Sequence, residues 1–66
     1  MTWFQFPDPV TVRHDDGTTA LIPPGLRPVR IHRDRVGVQV GDGEVDVAPD
    51  EWEAMLKHRI ALPTPF

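Results

Sequence analysis

Apolar residues alternate with polar ones through most of the chain, and this alternation limits the fold more than any other feature of the sequence. The apolar positions lie two residues apart in five runs: Val10 and Val12; Ala20 and Ile22; Val29 and Ile31; Val36, Val38 and Val40; and Val45 and Val47. Successive side chains of a strand point to opposite faces, and β-branched residues favour strands, so the spacing predicts a sheet with one apolar face. We expect strands at about 9–14, 18–22, 28–32, 35–41 and 44–48.

Short loops that contain glycine and aspartate separate these runs and predict hairpins. A two-residue turn at Asp42-Gly43 would pair Val40 with Val45 and Val38 with Val47. All four valines would then lie on the same face of the sheet, in agreement with the alternation.

The two earlier loops predict hairpins in the same way. A three-residue loop with Gly17 in the left-handed conformation pairs Val12 with Ala20, whereas a two-residue turn pairs Val12 with Leu21. The sequence leaves both registers open. A turn at Arg33-Asp34 closes the hairpin between the third and fourth predicted strands.

Five strands joined in order by short loops predict an antiparallel meander. Such a sheet either curls into a small open barrel of the SH3-like kind or stays open and is covered by a helix. The expected fold class is therefore α+β and mainly β. A chain of 66 residues has room for one core, so we expect a single domain over residues 1–66.

The apolar spacing changes near the C-terminus and predicts one short helix over residues 50–60. Its apolar stripe consists of Trp52, Met55, Leu56 and Ile60. Asp50 and Glu53 have the spacing of a capping box, which predicts that Asp50 caps the helix. Residues 61–66 contain two prolines and should form an extended tail, and we expect Phe66 to dock on the body of the protein.

The sequence lacks most side chains that carry out covalent chemistry. It contains no Cys, Ser, Tyr or Asn, it has one lysine, and no base is evident for its five threonines. Without cysteine there are no disulfides or thiolate metal sites, which fits the cytoplasm. The apolar N-terminus has no basic flank, and no apolar run reaches the ~20 residues of a membrane helix, so we expect neither a signal peptide nor a membrane span. The prediction is a non-enzymatic, monomeric cytoplasmic protein without a cofactor.

One short segment combines side chains that bind metals. His14, Asp15 and Asp16 are adjacent, and imidazole and carboxylate groups are both metal ligands. However, no second group of His or acidic residues has the spacing of a metal motif, and Asp15, Asp16 and Gly17 suit a tight loop. We therefore predict a turn and no metal site.

Charge is distributed unevenly along the chain, whose net charge is −3. Six of its ten acids lie close together in the sequence: Asp42, Glu44, Asp46, Asp50, Glu51 and Glu53. We call this set the acidic edge. Glu44 and Asp46 alternate with valines, so they should face solvent and continue into the acids at the start of the helix. The acidic edge is either a solubilising surface or a contact for a partner with a basic surface.

Two other regions are candidate contact surfaces. The first is an arginine-rich segment with Arg27, Arg30, Arg33 and Arg35. Arginines there could contact phosphates, but the net negative charge and the lack of an outward aromatic residue beside them argue against direct binding of nucleic acid. The second is an aromatic segment with Trp3, Phe4 and Phe6. Because neighbours in a strand alternate, at least one of these rings should point away from the core. The segment either closes the barrel or packs under the helix, or it offers an aromatic anchor for a protein partner.

In its shortness, its lack of cysteine and of a catalytic set, and its acidic edge, the chain resembles the small acidic phage proteins that inhibit host nucleic-acid machines, anti-CRISPR proteins among them. The resemblance implies a protein that blocks a basic groove on a CRISPR effector subunit, with carboxylates in place of phosphates. The five arginines before residue 36 count against pure mimicry of DNA. The alternatives are an SH3-like structural or adaptor module of a phage or bacterial assembly, and a small nucleic-acid-binding barrel that uses the arginine-rich segment.

Overall fold

The structure is a computed structural model that describes residues 2–64. These residues form seven strands and one helix. In chain order the elements are β1 (Thr2–Phe6), β2 (Val10–Arg13), β3 (Thr19–Ile22), β4 (Gly25–Ile31), β5 (Val36–Val40), β6 (Gly43–Val47), α1 (Pro49–Lys57) and β7 (Leu62–Pro63). The mainly β class with one short helix, predicted from the sequence, is confirmed.

Five of the strands form one antiparallel sheet, and the other two form a separate hairpin. The order across the sheet is β6, β5, β4, β1, β7, and β2 pairs with β3. The predicted meander of five consecutive strands is therefore wrong, because β3 does not pair with β4 and β4 instead receives β1. Pro23 and Pro24, which separate β3 from β4, have no amide hydrogen with which to continue a ladder.

The sheet is open within the described residues. Strands β6 and β7 are its two edges, and they do not pair with each other. Closure into a barrel is therefore not found in residues 2–64, and the arrangement is the open sheet covered by a helix.

The apolar side chains meet in one cluster between the sheet, the β2–β3 hairpin and α1. Its members are Phe4, Phe6, Val12, Ile22, Val29, Val36, Val38, Val47, Trp52, Met55 and Ala61. The Trp52 ring meets Phe4 edge to face, with centroids 4.9 Å apart, and lies 6.4 Å from the Phe6 ring at a tilt. Both separations are in the range where aromatic rings attract each other. The placement of Trp52 and Met55 in the core, expected from their helical spacing, is confirmed.

The first two predicted loops form as the sequence indicates. In the β2–β3 hairpin Val12 pairs with Ala20, so the three-residue loop is the correct alternative, and Gly17 has a φ of +90°. In the β4–β5 hairpin the amide of His32 donates to the carbonyl of Arg35 at 2.9 Å, which closes the turn between them.

The register of the last hairpin differs from the prediction by two residues. The turn residues are Gly41 and Asp42, with Gly43 already in the strand, and Val38 pairs with Val45. Gly41 has a φ of +60° and Asp42 has no positive φ, which is the arrangement of a type II′ turn. A shift of two residues keeps every side chain on its own face, so the apolar alternation cannot distinguish the two registers.

The start of α1 corrects the predicted cap. Ala48 is the N-cap residue and makes no side-chain cap bond, and Pro49 occupies the first turn, where its missing amide hydrogen costs nothing. The Asp50 carboxylate accepts a hydrogen bond from the neighbouring Glu51 amide at 3.0 Å, inside the helix. The predicted capping box with Asp50 at the cap is therefore wrong.

The helix ends at Lys57, three residues before the predicted end. Arg59 has a φ of +59°, its amide donates to the carbonyl of Leu56, and the amide of Ile60 donates to the carbonyl of Met55 at 2.8 Å. This pair of bonds is the Schellman motif, in which glycine normally occupies the left-handed position. The sequence has arginine there, so no local signal marked the end of the helix.

The segment after the helix returns to the sheet. Leu62–Pro63 pairs with β1 as a two-residue strand, and the hydroxyl and amide of Thr64 both donate to the carbonyl of Trp3, at 2.7 and 3.2 Å. The predicted extended tail is thus in part a strand. The docking of Phe66 lies outside the described residues.

The turn at Gly41 predicts a difference between two neighbouring glycines. Gly41→Val should reduce the free energy of unfolding by more than about 1 kcal/mol, because a β-branched residue resists a positive φ. Gly43→Val is the matched control: Gly43 has no positive φ, and an added Cβ would lie 4.0 Å from its nearest neighbour. Chemical denaturation of the two variants measures the difference. An equal or larger loss for Gly43→Val would contradict the observed turn.

The Schellman motif predicts that the protein gains stability from a glycine at position 59. Arg59→Gly should raise the free energy of unfolding by about 1 kcal/mol, since glycine has no Cβ to oppose the left-handed conformation. Arg59→Ala removes the guanidinium but keeps the Cβ, and it should show no such gain. The melting temperatures of the two variants test this. Equal stability of the two variants would mean that Arg59 is not strained.

Candidate protein-binding surface

The five-stranded sheet has one face against the core and one face that no described element covers. We call the second face the outer face. Cross-strand partners share a face, so the register shows which residues belong to the outer face. In order from β7 to β6 they are Leu62; Trp3 and Gln5; Leu26, Pro28 and Arg30; Gly37 and Gln39; and Glu44 and Asp46. All of these except Gly37 are exposed or half-buried.

The alternation within β1 divides the aromatic segment between the two faces. Phe4 and Phe6 are 8% and 0% exposed, so their rings belong to the core and not to an accessible surface. Trp3 lies on the outer face directly opposite Pro28 and is 38% exposed. The expectation that one ring of this segment points away from the core is confirmed.

An apolar strip runs along the β7, β1 and β4 side of the outer face. It consists of Trp3, Leu26, Pro28 and Leu62. Gln5 pairs with both Leu26 and Leu62 and is half-buried between them, while Leu26 remains 40% exposed. Strands are spaced about 4.8 Å apart, so the strip is roughly 10 Å wide, which suits one large apolar side chain of a partner.

Beside the apolar strip lies a hollow of about 220 Å³. The hollow is lined by Pro28, Arg30, Gly37, Gln39, Asp42, Gly43 and Glu44. The Glu44 carboxylate lies over Gly37, so that a Cβ at this position would overlap it. Within the described residues Asp42 and Glu44 form no ion pair with an arginine or lysine. Glu44 Oε1 lies 3.6 Å from His32 Nε2, a buried nitrogen without a hydrogen-bond partner.

The rest of the acidic edge is mixed with cations. Asp46 accepts from Arg35 Nε at 3.2 Å, and the same guanidinium lies 3.4 Å from Asp34. Asp46 and Glu51 border one depression of about 210 Å³ together with Arg13 and Arg35. The three acids on α1 are exposed and form no ion pair with a described residue: Asp50, Glu51 and Glu53. The acidic edge is therefore exposed throughout, but Asp46 shares the Arg35 guanidinium with Asp34.

The arginine-rich segment is likewise divided by the fold. Arg27 donates from Nε to the Pro23 carbonyl at 2.8 Å and from a terminal nitrogen to the Pro24 carbonyl, so it holds the loop before β4. Arg30 and the turn residue Arg33 are exposed. The sequence indicated no aromatic residue beside the outward arginines, but β1 pairs with β4 and thereby places a tryptophan on the same face as Arg30.

The His14 side chain links the β2–β3 hairpin to the five-stranded sheet. His14 Nε2 lies 3.0 Å from the backbone carbonyl of Asp46, and because a carbonyl only accepts, Nε2 is the donor. The Thr18 hydroxyl lies 3.3 Å from His14 Nδ1 and donates to the Asp16 carboxylate at 2.6 Å, and the Thr18 amide donates to the same oxygen at 2.9 Å. In residues 2–64 no group of three side chains is placed to hold a metal ion.

A comparison of the chain with protein-family models, with curated proteins and with solved structures found no match. Within residues 2–64 the single helix is too short to cross a membrane. The function must therefore be argued from the surfaces of the molecule.

The hydrogen bonds to Asp16 predict a pH-dependent part of the stability. Donation from the Thr18 hydroxyl, then from its amide, lowers the pKa of the Asp16 carboxyl. A carboxyl whose folded pKa is lowered stabilises the protein above its unfolded pKa, about 3.9, and this stability is lost as the pH falls through the folded pKa. The free energy of unfolding should therefore be larger for the wild type than for Asp16→Asn at about pH 6, and this difference should shrink below about pH 4.

Denaturation across this pH range measures the effect. Asp15→Asn is the control, since the Asp15 side chain makes no hydrogen bond to Thr18. This variant keeps Asp16, so it should lose stability on acidification in the same way as the wild type. A constant difference between wild type and Asp16→Asn from pH 6 to pH 2 would show that the Thr18 bonds do not favour the ionised carboxylate.

Proposed function

We propose that the protein is a non-enzymatic protein-binding domain that docks on its partner through the outer face of the sheet. The observation that supports this most is the exposed tryptophan, Trp3, which lies opposite Pro28 and beside Leu26 on a face that no other element covers. A tryptophan offers a large rigid apolar surface and loses little side-chain entropy on binding, which is why tryptophan is frequent among the residues that dominate protein interfaces. An apolar centre with a polar margin is also the usual anatomy of such an interface.

The charge of the protein favours a partner with a basic surface. The net charge is −3, and the acidic edge lies at the margin of the outer face and along the start of α1. Carboxylates at the margin speed the encounter with a basic surface, while the apolar centre supplies most of the affinity. We infer that the protein acts as an inhibitor in the cytoplasm, by occupying a basic surface of a nucleic-acid-binding complex such as a CRISPR effector subunit, as anti-CRISPR proteins of phages do.

One observation supports a second candidate function, the binding of single-stranded nucleic acid. Trp3 and Arg30 share the outer face, and an aromatic ring beside an arginine on a sheet is a surface on which a base stacks while its phosphate is bound. The acids Asp42 and Glu44 border the same hollow as Arg30, however, and they would repel a phosphate chain. We therefore prefer a protein partner.

The test compares two exposed apolar residues. Trp3→Ala should lower the capture of the partner from host lysate by more than about tenfold, because a central aromatic anchor is lost. Leu21→Ala is the matched control: Leu21 is 56% exposed on β3, outside the outer face, and its loss should leave capture unchanged. Thermal melting of both variants establishes that they are folded. Equal capture by the two variants would contradict binding through the outer face.

Two further measurements separate the alternatives. Fluorescence anisotropy with a single-stranded oligonucleotide should show no binding, and binding that depends on Trp3 and Arg30 would support the second candidate. Sedimentation should show a monomer. A structural module of a larger particle would instead self-associate through the outer face, so an oligomer would support that alternative. Recovery of phage growth in cells with an active CRISPR system tests the inhibitor directly, with Trp3→Ala as the inactive control.

A further inference from the structure

We propose that the outer face recognises a partner segment in which an apolar side chain lies about 10 Å from a lysine or arginine. The apolar side chain packs on Trp3, and the cation enters the hollow beside Gly37, next to the carboxylates of Asp42 and Glu44. This inference rests on the proposed function and adds the chemistry of the partner to it.

The apolar strip provides the first anchor point. Trp3 and Leu26 are 38% and 40% exposed, and Pro28, opposite Trp3, is half-buried, so the strip offers an apolar surface that solvent contacts. Burial of this surface is favourable for an apolar side chain of any shape that fits between the tryptophan and Leu26. The strip alone therefore selects apolar over polar segments and does not select charge.

The hollow provides the second anchor point and selects charge. Two carboxylates, from Asp42 and Glu44, border it without an ion pair to arginine or lysine in the described chain, and they face one guanidinium, that of Arg30. Among the residues that border the hollow, two carboxylates and one guanidinium leave a balance of one negative charge, which favours a cationic occupant. Glu44 lies over the backbone of Gly37, where its carboxylate can accept from a side chain that enters from solvent. Arg30, on the opposite border, is placed to donate to a carbonyl of the same segment.

The spacing of the two points defines the partner segment. Gln39 borders the hollow on β5, and the register places it in line with Pro28 and Trp3, two strands from Trp3, which corresponds to roughly 10 Å. Two residues seven positions apart on a helix are separated by about the same distance, on the same side. A helix with a leucine and a lysine seven positions apart therefore fits both points at once.

The experiment uses two designed peptides and the isotope-labelled full chain. Both peptides are alanine-based helices with two leucines; one has a lysine seven positions after each leucine, and the other has glutamate in place of lysine. In an NMR titration the lysine peptide should shift the indole signal of Trp3 and the amide signals of Gly37 and Gly43. The glutamate peptide should cause no such shifts at the same concentrations.

Variants assign the affinity to the two points. The double variant Asp42→Asn with Glu44→Gln should weaken binding of the lysine peptide by about five- to tenfold, since two exposed charges are removed. Glu53→Gln is the matched control, because Glu53 is an exposed carboxylate on α1 outside the outer face. For the apolar point, Leu26→Lys should abolish binding and Leu21→Lys should not.

Each result decides the inference. If the glutamate peptide binds as well as the lysine peptide, or if the double variant binds without loss, the charge selection is wrong. The proposed function then still stands, provided that Trp3→Ala loses the partner from lysate. If Trp3→Ala keeps the partner, the outer face is not the contact surface, and both proposals fail.

Discussion

The pairing of β1 with β4 is the interaction on which the rest of the structure depends. It brings Phe4 and Phe6 under the helix, where they meet the Trp52 ring, and it places Trp3 on the opposite side of the sheet. Each fully buried phenylalanine contributes about 1.5–3 kcal/mol relative to an exposed one, which is a large share of the stability of so small a domain. The same ladder therefore determines both the core and the only tryptophan that faces solvent among the described residues.

The sequence predicted those features that depend on neighbours in the chain. Alternating apolar residues indicated the strands from β2 to β6, and the helical spacing of Trp52 and Met55 placed them in the core. What it did not predict depends on distant residues. No local pattern shows that β1 pairs with β4. The apolar alternation also does not distinguish two registers of a hairpin that differ by two residues. After the helix, Arg59 adopts the left-handed conformation that glycine usually adopts at this position, so no residue in the sequence indicated where the helix ends.

The candidate surface could be predicted in part for the same reason. Acids and arginines were visible in the sequence, but their partners follow from the topology: Arg35 pairs with Asp46, and Arg27 binds the loop before β4. The grouping of Trp3, Arg30 and the hollow beside Gly37 on one face requires three strands that are separate in the chain. A charge run in a sequence thus gives the sign of a surface, and the fold decides which of its charges remain free.

The hydrogen bond between Thr64 and Trp3 joins residues 61 positions apart, and this separation has a consequence for how the protein folds in a cell. The β2–β3 hairpin separates β1 from its partner β4 in the chain, and the short strand that pairs with the other side of β1, β7, comes after the helix. Phe4 and Phe6 therefore obtain their partners from distant parts of the chain, and contacts of this kind form slowly. Until β1 pairs, these two rings are exposed to other proteins, so the yield of the protein in a cell depends on how quickly the distant strands find β1 and on which chaperones bind the chain first.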